Sequence, residues 1–90
     1  MGKLQHIHYS DEFLAIMDEV EANKTVEHIG KTIGQLQAFP SMGNPRPRQA
    51  LRKRYGEDIR TMPVEQYLLV YKYDDEALKI ISLVWAVSIK

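Results

Sequence analysis

The sequence predicts an α+β domain in the order β-α-α-β-β-β, with a helical hairpin packed on one face of an antiparallel sheet. Apolar residues recur at three- and four-residue spacing between positions 13 and 36, which is the period of amphipathic helices. β-branched and aromatic residues dominate from position 59 onward, in runs separated by short polar turns. The 90 residues fit a single domain, residues 1–90, and leave no room for a second.

Composition excludes several classes of protein. Twelve Lys and Arg balance twelve Asp and Glu, and 44% of the residues are hydrophobic, which is normal for a globular domain. The absence of cysteine excludes disulfide scaffolds, thiol catalysis and cysteine zinc sites. The N-terminus has no apolar signal region, and the run at 80–87 falls short of the roughly 18 residues of a membrane helix. We expect a cytoplasmic protein that contacts no membrane and needs no cofactor.

The N-terminal half is predicted to contain one strand and two helices. Residues 4–9 alternate as a short strand, and Ser10 is a helix N-cap followed by two acids at the positive end of the helix dipole. The first helix extends to about residue 23, and Thr25 is a candidate N-cap for the second, which ends at Pro40. The apolar stripes of the two helices are Phe13, Leu14, Met17 and Val20, then Val26, Ile29, Ile33 and Leu36.

The C-terminal half is predicted to be a loop followed by strands. Three prolines and a glycine at 40–47 predict a loop without regular structure, and the remainder is predicted to be strands, chiefly 59–64, 67–73 and 78–87. Turns at 65–66 and 74–76 make these strands an antiparallel meander. In the middle strand Tyr67, Leu69, Tyr71 and Tyr73 share one face, and Leu68, Val70 and Lys72 share the other.

The last strand, 78–87, leaves two interpretations open. As an exposed edge, so apolar a strand would be an aggregation hazard that a partner protein must cover, by adding a strand or by laying a helix in a groove. As a central strand, it would be buried by its own domain.

Charge is distributed unevenly along the chain. Six acids against one base lie in residues 11–27, namely Asp11, Glu12, Asp18, Glu19, Glu21 and Glu27. Six bases against two acids lie in residues 46–60, which we call the basic segment: Arg46, Arg48, Arg52, Lys53, Arg54 and Arg60. Guanidinium groups donate to phosphate oxygens in pairs, so these six side chains are candidate contacts for a nucleic acid or another acidic target. The alternatives are a solvated surface and pairing with the acidic helix.

Other candidate sites have ordinary alternatives. Tyr67, Tyr71 and Tyr73 near the basic segment are candidates for stacking on bases, although tyrosine at period two is also typical of a packed strand. His6 and His8 lie on one strand face but lack further metal ligands, so we expect no metal site. Gly30 and Gly34 are best explained by close approach of the two helices. No nucleophilic triad or carboxylate pair is visible.

Taken together, these segments resemble the RelE/ParE superfamily of bacterial type II toxin–antitoxin toxins. The resemblance runs from Leu4 to about Trp85 and is sharpest in three places. These are the Phe-Pro-x-x-Gly loop at 39–43, an arginine (Arg60) seven residues before the Tyr-x-x-x-Tyr strand at 67–71, and the apolar run at 80–84. The resemblance implies the β-α-α-β-β-β fold, a cognate antitoxin, and either a homodimer or a toxin–antitoxin hetero-oligomer.

The resemblance implies two possible targets. RelE-like members cleave messenger RNA in the ribosome with basic residues, whereas ParE-like members, associated with plasmid stabilization, act on DNA gyrase and are not nucleases. Arg60 matches an arginine found in both branches and is the one candidate catalytic residue, while Lys53 and Arg54 lie in the basic approach to it.

Two departures from the family pattern favour the ParE-like branch. Leu68 stands where members commonly have arginine, and residues 85–90 lack the histidine and following basic residue of many RNA-cleaving members. Loss of acid–base groups removes about 10²- to 10⁴-fold of rate. The resulting hypothesis is a growth-inhibiting toxin that acts on gyrase. The alternatives are a ribosome-dependent mRNA endonuclease and a non-toxic interaction module on the same fold.

Overall fold

A computed structural model describes residues 4–86. The order of elements is β1 (His6–Tyr9), α1 (Asp11–Glu19), α2 (Asn23–Ala38), a 3-10 helix (Pro40–Met42), α3 (Gln49–Tyr55), β2 (Arg60–Val64), β3 (Tyr67–Tyr73) and β4 (Ala77–Trp85). No helix within these residues is long and apolar enough to cross a membrane.

The four strands form one sheet in the order β1-β4-β3-β2. The meander of β2, β3 and β4 is antiparallel, as predicted. The N-terminal strand β1 pairs in parallel with β4, and the Ser10 N–H donates to the Ile80 carbonyl oxygen at 2.9 Å. β4 is therefore a central strand over residues 77–80, where β1 pairs with its second side, and its interpretation as an exposed edge is wrong for that half. Beyond residue 80 no strand within residues 4–86 pairs with this side of β4. Residue 87 lies outside the described residues.

The first helix begins as predicted, but the boundary between the two helices differs. The Ser10 hydroxyl accepts from the Phe13 N–H at 3.0 Å, which makes it the N-cap of α1. The helix then ends at Glu19, and α2 begins at Asn23 with Ala22 as its N-cap. Thr25 lies inside α2 and donates its hydroxyl to Glu65 at 2.7 Å, so its assignment as an N-cap is wrong. The Thr25 hydroxyl does make a hydrogen bond, as expected, but its partner is the Glu65 side chain and not a backbone N–H at the start of the helix.

A third helix occupies part of the chain that the sequence assigned to strands. Residues 49–55 (Gln-Ala-Leu-Arg-Lys-Arg-Tyr) include several good helix formers, and Gly56 ends the helix at φ 122°, where other residues are strained. The segment 40–47 also has more regular structure than predicted. It starts with a 3-10 helix and contains a bridge between Asn44 and Thr61, so only part of it is an irregular loop.

The core has two parts, one on each face of the sheet. On the first face α1 and α2 contribute Phe13, Ile29, Ile33 and Leu36, which pack with Leu69, Tyr71, Leu78, Ile80 and Leu83 from the sheet. On the opposite face α3 contributes Leu51, which packs with Ile59 and Val70. The hairpin thus covers one face as predicted, and α3 covers the other. The two faces of β3 carry the residues that the alternation assigned to them.

Gly30 and Gly34 have no packing role in this fold. A Cβ atom built at either position meets nothing within 4 Å. Both glycines lie on the exposed side of α2, so the prediction that they allow the helices to approach closely is wrong.

Candidate functional site

The candidate catalytic residue Arg60 holds the segment that we call the Phe39 loop, residues 39–43. Its Nη1 donates to the carbonyl oxygens of Ser41 at 3.1 Å and Gly43 at 3.0 Å. The guanidinium carbon lies 5.7 Å from the centroid of the Tyr73 ring, within reach of a cation–π interaction. Position 60 begins β2, so the arginine extends from the sheet edge across the turn that follows α2. Arg60 therefore fixes a loop in place.

Tyr71, on β3, also holds the Phe39 loop in place. Its side chain is fully buried, its hydroxyl donates to the Pro40 carbonyl oxygen at 2.7 Å, and it accepts the Gly43 N–H at 2.9 Å. Burial raises the pKa of this phenol, so Tyr71 stays protonated and keeps donating at neutral pH. The prediction that Tyr71 stacks on a base is wrong for this fold because no ring surface is exposed.

The other two tyrosines lie apart from each other on β3. The Tyr67 ring contacts Trp85, with ring centroids 4.8 Å apart, at the end of β3 remote from Arg60. Tyr73 lies under the Arg60 guanidinium at the opposite end. Tyr67 is partly buried, and its stacking on a target stays a prediction.

The structure does not bring the basic segment together as one cluster. Because side chains alternate along β2, Arg60 shares a sheet face with Met62 and Val64, which pack in the core on the hairpin side, whereas α3 packs on the other face. Arg52 pairs with Glu57 at 3.4 Å, and Arg54 lies 4.0 Å from Glu12. Three exposed cations of the basic segment make no ion pair with any residue in 4–86, namely Arg46, Arg48 and Lys53. Contact of these cations with a target stays a prediction, and the Arg54–Glu12 pair shows that one cation does meet the acidic helix.

A polar cluster that the sequence did not reveal joins α1, α3 and β4. The Glu12 Oε2 accepts from the hydroxyls of Ser82 and Tyr55, each at 2.5 Å. The Ser82 bond, then the Tyr55 bond, lower the pKa of Glu12, while burial raises the pKa of Tyr55. The available signal was Ser82 itself, a lone hydroxyl in an apolar strand, since a buried polar group needs a hydrogen-bond partner.

A second polar cluster joins α2 to the turn between β2 and β3. Glu65 has φ 55°, uncommon for a residue other than glycine. Its Oε1 accepts from Thr25 at 2.7 Å, and its Oε2 lies 2.5 Å from the His28 Nδ1. These partners, led by Thr25, lower the pKa of Glu65. The Thr25 hydroxyl and the His28 imidazole both contact the Glu65 carboxylate, and they make no hydrogen bond with each other. A nucleophilic triad needs the imidazole to accept the hydroxyl proton, so these three groups do not form one.

The strand histidines form no larger group. The rings of His6 and His8 have centroids 6.3 Å apart. Within residues 4–86 no three His, Asp or Glu side chains are grouped as a metal site.

Comparison with known proteins identifies the family. Residues 5–88 match the family model of the ParE toxin of the type II toxin–antitoxin system parDE. The fold is similar to a chain of the chromosomal ParDE toxin–antitoxin system from P. aeruginosa, with a TM-score of 0.70 and 16% identity over 91% of this chain and 96% of that chain. It is also similar to a chain of the E. coli DinJ-YafQ toxin–antitoxin complex, with a TM-score of 0.53 and 17% identity over 96% and 97% of the respective chains. No curated protein sequence matches the chain.

These findings confirm the resemblance drawn from the sequence motifs. The two structures support the fold, and the family model covers residues 5–88 of a 90-residue chain. The chain therefore belongs to the ParE toxin family of type II toxin–antitoxin systems.

Proposed function

We propose that this chain inhibits bacterial growth by acting on DNA gyrase in the cytoplasm, and that a cognate antitoxin neutralises it. Membership of the ParE family supports this target, since the resemblance drawn from the sequence implies that ParE-like members act on DNA gyrase. The similar structures come from a ParDE system and a DinJ-YafQ toxin–antitoxin complex, which supports an antitoxin as partner.

The observation that favours gyrase over messenger RNA as the target is that Arg60 is already hydrogen-bonded within its own chain. A nuclease needs cations that face phosphate and a proton-transfer group within hydrogen-bond reach of the reacting hydroxyl. Here the Arg60 Nη1 donates to two loop carbonyls, and the Tyr71 hydroxyl is buried under the same loop. Both groups act as structural supports, which favours a toxin that works by binding its target.

Induced expression in a bacterial host, followed by two assays with the purified chain, tests the proposal. We expect growth arrest that co-expression of the antitoxin relieves, inhibition of DNA supercoiling by purified gyrase, and intact transcripts in arrested cells. Undiminished gyrase activity at an excess of toxin would contradict the target. Normal growth would instead favour a non-toxic interaction module.

A ribosome-dependent mRNA endonuclease is the second candidate. It is favoured by Arg46, Arg48 and Lys53, which are exposed and make no ion pair within residues 4–86. This candidate predicts translation arrest and codon-positioned cleavage that Arg60→Ala abolishes. Primer extension on transcripts from arrested cells separates it from the gyrase proposal.

A further inference from the structure

The Phe39 loop is held firmly yet presents apolar side chains to solvent. Arg60 and Tyr71 together make four hydrogen bonds to Pro40, Ser41 and Gly43. Phe39 nevertheless remains 67% exposed, and Met42 remains 47% exposed. A large apolar side chain on a rigid loop loses little conformational entropy on binding, so it is well suited to anchor a partner.

A cleft of about 330 Å³ opens beside this loop. Phe39, Pro40 and Tyr73 contribute its apolar side. Asp74 and Asp75, from the turn between β3 and β4, contribute its acidic side. We call this feature the acidic cleft.

Of the two carboxylates in the acidic cleft, only that of Asp75 lacks an ion-pair partner among residues 4–86. Asp74 accepts from the N–H groups of Glu76 and Ala77, each at 2.9 Å, and lies 3.3 Å from the Lys79 Nζ. These contacts, led by the Glu76 N–H, lower the pKa of Asp74 to about 2, so it is ionised at neutral pH. Asp75 is exposed and makes no ion pair within residues 4–86. A cation from a partner would therefore pair with Asp75.

We propose that the acidic cleft binds an extended segment of the antitoxin in which an arginine or lysine stands beside an apolar residue. The cation lies against the exposed face of Phe39 and pairs with Asp75, and the neighbouring apolar side chain covers Pro40 and Met42. Aromatic faces attract cations, and a guanidinium combines this contact with a charge-assisted hydrogen bond to a carboxylate. This inference rests on the proposed function in one respect, namely that the chain has an antitoxin.

Calorimetric titration with the protein encoded beside this chain tests the inference. We expect Asp75→Asn and Phe39→Ala each to weaken binding at least tenfold. Asp18→Asn and Leu14→Ala are the matched controls, since both residues are exposed on α1 and lie outside the cleft, and we expect changes below twofold. Added salt should weaken the wild-type complex more than the Asp75→Asn complex, because the lost pair is electrostatic.

A charge reversal identifies the segment. Asp75→Lys should weaken the complex at least as much as Asp75→Asn. Replacement of one antitoxin arginine or lysine by glutamate should then restore part of the affinity for the Asp75→Lys toxin. The same replacement should not increase the affinity for any other form of the toxin. If no such replacement at any arginine or lysine of the antitoxin restores affinity for the Asp75→Lys toxin, the inference is overturned.

Growth assays separate failure of the inference from failure of the proposed function. If the wild-type chain does not arrest growth but Asp75→Asn still weakens its complex, the inference stands and the toxic function fails. Wild-type affinity in both cleft variants, or adjacent genes that encode no binding protein, overturns the inference. If a cleft variant loses toxicity but keeps its affinity for the antitoxin, the cleft binds the target and the inference is overturned. If Phe39→Ala loses self-association but keeps its affinity for the antitoxin, the cleft binds a second copy of the chain and the inference is likewise overturned.

Discussion

Gly43 lies where the Phe39 loop comes closest to the sheet. A Cβ atom at this position would meet the Tyr71 ring at 2.8 Å and the Thr61 carbonyl oxygen at 2.9 Å, and both residues are buried. Because neither neighbour can move without breaking hydrogen bonds, we expect Gly43→Ala to lower the free energy of unfolding by about 1–3 kcal/mol in urea denaturation.

The matched control at the same residue scale is Gly34→Ala. Its added methyl group meets nothing within 4 Å, and alanine is the better helix former. We expect this change to raise the free energy of unfolding by about 0.5–1 kcal/mol. Equal effects of the two substitutions would show that the loop does not pack as described.

Residue types predicted polar contacts in this chain but not their partners. Arg60 was identified from its place in the motif, and its neighbours are loop carbonyls 17 and 19 residues earlier. Tyr71 was identified as a stacking residue, and its hydroxyl supports the loop instead. The residue type determines which hydrogen bonds a side chain can make. The partners come from segments far away in the chain, and a sequence pattern does not show which segments will be neighbours.

At the scale of elements, Glu12 joins α1 to α3 and β4. Hydrogen bonds from Ser82, then Tyr55, lower its pKa below the ordinary value of 4.5. A carboxylate with a lowered pKa stabilises the fold above its unfolded-state pKa and loses that contribution as pH falls through the folded-state pKa. We expect stability to fall as the pH is lowered below the ordinary value of 4.5, and Glu12→Gln to flatten part of this decline.

Urea denaturation over this pH range measures the effect. Ser82→Ala removes the largest cause of the shift and should flatten the same part of the profile. Glu65 and Asp74, whose pKa values are also lowered, account for part of the decline that remains. Identical pH profiles for wild type and Glu12→Gln would contradict the role of this cluster.

Most elements were predictable, and the missed helix has a physical explanation. Periodicity located both helices of the hairpin and all three strands of the meander because each has one apolar face over several residues. α3 has only seven residues, of which just Leu51 is buried, so it has no stripe for a pattern to detect. Its helix-forming composition was the usable signal.

At the scale of the whole molecule, β3 and β4 are shared by two cores. Leu36 is fully buried on the hairpin face, and Leu51 is 3% exposed on the α3 face. We expect Leu36→Ala and Leu51→Ala each to lower the free energy of unfolding by about 2–5 kcal/mol. Both variants should unfold in one transition because the shared strands couple the cores. Separate transitions by circular dichroism and tryptophan fluorescence in Leu51→Ala would contradict this coupling.

The sequence by itself determined the α+β class, the hairpin, the meander and the family, because these depend on local periodicity and on the order of short motifs. Only the tertiary structure decided that β1 pairs with residues 77–80 of β4, that Arg60 and Tyr71 support the Phe39 loop, and that α3 lies on the opposite face from the hairpin. The physical reason is that a pattern shows which side of an element is apolar, whereas the segment that covers that side is chosen by contacts between residues far apart in the chain.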